Sequence, residues 1–170
     1  PIFAKDILGG GPSSLGLLMA ASGIGAIIGA VYLASRRSVL GLGGAVAVGA
    51  SVFGLSLAAF ACSRWFWLSF LLLIFTGLGM MLQLASSNTI LQTLVDDDKR
   101  GRVMGLYTLA FFGVAPFGSL WAGWAAGRIG APATLMIGGA CVVLGAIAFA
   151  VRLPALRRIA LPIYERKGVL

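Results

Sequence analysis

WFWLSFLLLIFTGLGMMLQLASSNTILQTLVDDDKRGRVM, residues Trp65 to Met104, opens as a purely apolar segment and turns polar at Gln83. It ends in the one dense charge cluster of the chain, Asp96-Asp97-Asp98-Lys99-Arg100-Gly101-Arg102. Only 11% of the 170 residues are charged and 59% are hydrophobic, with a mean hydropathy of +1.01. A soluble domain carries about 25% charge, so this chain cannot clothe itself in a polar surface. Apolar runs of about 20 residues recur on both sides of the quoted stretch, each long enough to cross a hydrocarbon core of roughly 30 Å. The short alternating segments of a membrane barrel do not occur, which leaves helices to satisfy the backbone.

Five spans are expected: roughly 14–33, 39–61, 65–95, 103–126 and 132–151. The third, at about 30 residues, exceeds the minimum and should tilt or project. Pro1–Gly11 is too short to cross and reads as the end of a missing helix followed by a glycine loop. Pro12-Ser13-Ser14 suits the start of the first span. In that span Ala21, Gly25 and Gly29 recur every fourth residue, a stripe that lets a neighbouring helix approach closely. Gly23-Ile-Gly25-Ala-Ile-Ile-Gly29 is near a dinucleotide fingerprint, but it lacks the strand and exposed loop which that chemistry requires. Gly49-Ala-Ser51-Val-Phe-Gly54 misses the nucleophile-elbow spacing by one residue. In the fourth span Gly113, Gly123 and Gly127 fall on the face of Pro116, whose missing N–H should kink the helix.

The net charge of +8 would suggest nucleic acid in a soluble protein; here it reports orientation, and no nucleic-acid partner is expected. Turns must alternate sides. One set carries Arg36, Arg37, Lys99, Arg100, Arg102, Arg152, Arg157, Arg158, Arg166 and Lys167, the other Lys5, Arg64 and Arg128, ten against three. The richer set belongs in the cytoplasm, and the C-terminus with it. An even count of crossings then needs one more N-terminal helix, making a six-helix bundle.

There is no His, and the two Cys residues have no metal-motif spacing, so neither a metal nor a cofactor is expected. An intramembrane enzyme would need paired carboxylates or metal ligands within the spans, and none is there. No acid, Lys or Arg falls inside any proposed span, so a proton relay would take its carboxylate from elsewhere. Polar residues cluster instead on the third span. At about 100° per residue Thr76, Gln83, Ser86 and Ser87 share a face, with Asn88 and Gln92 on the other side. That face either lines a water-filled substrate cavity or makes hydrogen bonds between helices. The acidic–basic cluster is either a solvated loop or a latch. In the latch, Asp98 and its neighbours complement the dipole of the fourth span, and Arg100 or Arg102 binds carbonyls ending a neighbouring helix. The arginines of the tail either hold anionic lipid or only enforce orientation.

Three motifs complete the picture: Pro1–Leu8 (PIFAKDIL), Asn88-Thr-Ile-Leu-Gln92, and Arg100-Gly-Arg102-Val-Met-Gly-Leu-Tyr107 running on to Phe111-Phe-Gly113-Val-Ala-Pro116. With these the chain resembles the C-terminal half of a major facilitator superfamily transporter, of the enterobactin-exporter-like and drug-efflux permease group. The resemblance implies an all-α membrane protein of twelve helices, of which 1–153 would be helices 8 to 12 plus the end of helix 7. Residues 154–170 would form a basic cytoplasmic tail. It implies a partner in the missing N-terminal half, a bacterial inner membrane, and proton-coupled export of a small amphipathic molecule such as a drug or siderophore by alternating access. The third span would line the central cavity, and the basic loops, including Arg36 and Arg37, would gate its cytoplasmic side. Gly29–Arg37 matches the family's basic loop in part, without its acidic residue. A packing or assembly subunit with no solute pathway is the alternative.

Overall fold

The computed structural model describes residues 12–36 and 38–167, and they form five helices. These are α1 (Pro12–Ala34), α2 (Leu42–Cys62), α3 (Phe66–Leu94), α4 (Asp97–Ile129) and α5 (Ala131–Arg166). All five are long and apolar enough to cross a membrane. The chain is therefore an all-helical, multi-pass membrane protein. Lys5, Arg37 and the Pro1–Leu8 segment lie outside the described residues.

The turns are short, and their chemistry is local. Gly41 precedes α2 with φ of 88°, a left-handed conformation that a side chain would strain. A single glycine, Gly130, separates α4 from α5 at φ of 86°, and Pro132 follows in the first turn of α5. Between α2 and α3 the Ser63 hydroxyl donates to the Trp65 carbonyl, and Ser69 donates to Ser63 at 2.9 Å. Trp65 and Trp67 stand exposed at this end, as indoles at a membrane interface do.

α3 is the centre of the packing, with α1 on one side and α2 on the other; α2 in turn packs against α5. Glycine pairs permit each approach. A methyl on Gly25 would collide with the Ile74 carbonyl, and one on Gly77 with that of Ser22. Between α2 and α3, a methyl on Gly79 would fall 2.6 Å from the Gly49 carbonyl oxygen. Between α2 and α5, a methyl on Gly139 would fall 2.6 Å from that of Gly54. Lipid tails are as apolar as Leu, so dispersion and backbone proximity, not water exclusion, hold such contacts together.

Two helices run past the expected spans. α4 begins at Asp97, so the charge cluster beyond its N-cap Asp96 is helical and is not a loop. α5 does not stop near Val151 but continues through Pro154 and Pro162 to Arg166. Its 36 residues extend about 54 Å, so several turns project beyond a core of roughly 30 Å. α4 makes its main contact with α5, and only Ala125 on it is buried.

Candidate functional site

The polar residues of α3 divide into two kinds. Thr76 is buried; its hydroxyl donates to the Leu72 carbonyl at 2.9 Å and approaches the Ser56 hydroxyl at 3.1 Å, tying α3 to α2. With Ser63–Ser69 this makes a second hydroxyl contact along the same helix pair. Ser86 differs. It is 0% exposed, and its hydroxyl has no hydrogen-bond partner among the described residues. Leaving a buried hydroxyl unmatched costs about 1–3 kcal/mol. Gln83 and Ser87 are half-buried, and Gln83 has its backbone beside α2, where a methyl on Gly49 would come within 2.9 Å of its nitrogen. Further along, the Gln92 amide donates to Asn88 one turn earlier. A cleft of about 420 Å³ opens nearby between α1 and α2, lined by Ile28, Tyr32, Arg36, Val48 and Leu82 among others. Its lining residues do not include Gln83 or Ser86.

The charged residues gather at one end of the bundle, where the α1–α2 turn, the α3–α4 turn and the end of α5 meet. Arg36 donates to the Leu40 carbonyl at 3.3 Å, closing the α1–α2 turn. Asp97 and Asp98 sit in the first turn of α4, where the helix dipole favours a negative charge. Arg100 pairs with Asp97 at 2.5 Å on the same helix, both exposed, an arrangement worth at most a few tenths of a kcal/mol in water. Asp98 and Arg102 are exposed and form no ion pair among the described residues. Among the described residues, the cation that reaches a helix-ending carbonyl is Lys167. Its ammonium donates to the Val95 carbonyl at 2.6 Å, at the C-cap of α3, and lies 3.6 Å from Asp96. Together with Thr89, Gln92, Thr93, Asp97 and Arg100 it walls an open cavity of about 570 Å³. At the opposite end the Cys62 thiol lies 3.7 Å from the Met136 sulfur, and the Arg128 guanidinium sits over the Trp124 ring at 5.4 Å.

The small-residue positions also separate. Ala21 is fully buried, Gly25 abuts α3, and a methyl on Gly29 would meet Leu78 and Met81 at 3.1 Å. Gly113, Gly123 and Gly127 have nothing within 4 Å of where a methyl would stand, and Pro116 is exposed beside them. Lys167 and Ser56 were legible only as a tail charge and a scattered hydroxyl; no spacing rule connects either to its partner, 72 and 20 residues away.

Compared with known proteins, the chain is similar to the family described as transmembrane secretion effector, matched over residues 1–165. No curated protein and no solved structure gave a match.

Proposed function

The chain belongs to the transmembrane secretion effector family of major facilitator transporters, and on that premise we propose that it takes part in proton-coupled export of a small amphipathic molecule. The family is one of transporters and not of enzymes, so a lipid bilayer and a small-molecule substrate come with it. In our reading the membrane is a bacterial inner membrane, the basic end of the bundle faces the cytoplasm, and the cargo is a drug-like or siderophore-like compound. A further bundle, the N-terminal half of the transporter, packs on α1 and α4. That assignment is supported by the row of exposed apolar residues on α4, among them Leu109, Phe112, Phe117 and Leu120.

The observation that carries the reading is Ser86. A sealed, unmatched hydroxyl in the polar sector of α3 is expensive in a static packing helix. It is tolerable in a helix that has a second arrangement in which the hydroxyl meets a substrate, water or another helix. Gln83 and Ser87 extend this sector into the pathway. Thr76, already bonded across to α2, anchors its end, and Arg36, Arg37, Asp98, Arg100 and Arg102 shape the cytoplasmic gate.

The test is dye efflux from proteoliposomes containing the full chain, with and without an imposed pH gradient. Efflux requires the gradient, and Gln83→Ala lowers it about fivefold, the loss of one polar contact of about 1 kcal/mol. Efflux indifferent to the gradient, or unchanged in the Gln83→Ala protein, overturns the reading. A packing subunit would show no gradient-driven efflux at all.

A further inference from the structure

A groove of about 440 Å³ opens at the basic end, between the projecting half of α5, the α1–α2 turn and the end of α3. Its volume falls in the range of ligand pockets, about 300–1,000 Å³. The wall is apolar, with Leu40, Leu94, Phe149, Leu153 and Ile159 among its residues. Among the described residues, Arg157 is the one charged residue lining it. Its guanidinium lies 3.8 Å from the place a methyl on Gly44 would occupy, beside the first turn of α2, which no side chain caps.

We propose that this groove holds one acyl chain of an anionic phospholipid, whose phosphate is gripped by Arg157. The placement favours that occupant over others. The groove lies on α5 just past the expected crossing, where hydrocarbon gives way to headgroups, so bilayer lipid is the apolar matter closest to hand. A long apolar wall with Arg157 on it matches a molecule with a long apolar tail and an anionic head. The guanidinium fork suits phosphate oxygens, and the adjacent amide-rich turn of α2 adds positive potential to the same place. Arg158 and Arg36 nearby reinforce that sign.

The experiment uses the full chain in nanodiscs containing phosphatidylglycerol or phosphatidylcholine with a photoreactive group at the end of an acyl chain. Crosslinked peptides are then mapped. The proposal expects phosphatidylglycerol to label residues 149–163 about fivefold more than phosphatidylcholine, the factor one cation gives near an anionic surface. Arg157→Gln, an exposed position that leaves the packing intact, should remove that preference. Ala160→Trp should block labelling by both lipids, with the melting temperature confirming a folded protein. Equal labelling by the two lipids, a preference that survives Arg157→Gln, or label confined to other helices overturns it.

Discussion

At Gly25 the backbone of α1 approaches Ile74 so closely that no side chain fits, and Gly77 answers it from α3. Gly25→Val should therefore force the helices apart and destabilise the bundle by about 1–3 kcal/mol or more, read as a lower melting temperature in detergent. Gly113→Ala, with open space around it, should hold or slightly raise that temperature when measured beside it. Ser86 makes the opposite kind of prediction. Removing an unmatched hydroxyl by Ser86→Ala should leave stability level or raise it by up to about 1–3 kcal/mol, while dye efflux falls. A variant that loses stability and keeps its efflux would make Ser86 a packing residue. The stripe Ala21–Gly25–Gly29 was legible as a close-packing face because period and residue size suffice to mark one. Its partners were not, since Gly77 meets α1, Gly79 meets Gly49 and Gly54 meets Gly139 only through the three-dimensional crossing of the helices.

Among the helices, α5 departs most from what its composition suggests. Arginines and prolines after Val151 look like the end of a span, yet Pro154 and Pro162 sit within a helix that carries on to Arg166. Charge marks where a helix leaves hydrocarbon; it does not mark where the helix stops, and that distinction is invisible to hydropathy. The extension brings Lys167 to the C-cap of α3, so α5 closes on the junction that joins α3 to α4. Lys167→Ala should loosen this closure by about 1.5 kcal/mol or less, given its partial exposure. Limited trypsin cleavage at Arg157–Arg158 should then accelerate up to about tenfold, because the segment opens locally more often. An unchanged cleavage rate would mean the clamp adds nothing.

For the whole molecule, alternation of the five helices separates two ends, one gathering Arg36, Lys99, Arg100, Arg102 and Lys167, the other Arg64 and Arg128. An impermeant thiol label applied to sealed vesicles should reach Arg64→Cys and Arg102→Cys from opposite faces, with Arg102 on the cytoplasmic one. Span number was readable because the bilayer imposes a length rule on any chain that crosses it, and the charge rule is the ground for the sidedness proposed here. The proposed pathway is readable only as a polar sector, because hydroxyls that bind a cargo and hydroxyls that bind each other look alike until their partners are seen. Thr76 has such a partner in Ser56, and Ser86 has none among the described residues. The central claim is that this sector of α3 borders water during the transport cycle. Its most direct test places single cysteines along α3 of the full chain, with Cys62 and Cys141 replaced by Ser, and reads their reaction with a hydrophilic maleimide in membranes. Gln83→Cys and Ser87→Cys should react, at rates altered by substrate, while Leu71→Cys on the exposed apolar side stays silent. Gln83→Cys and Ser87→Cys as inert as Leu71→Cys, with Arg64→Cys reacting normally, would contradict the account.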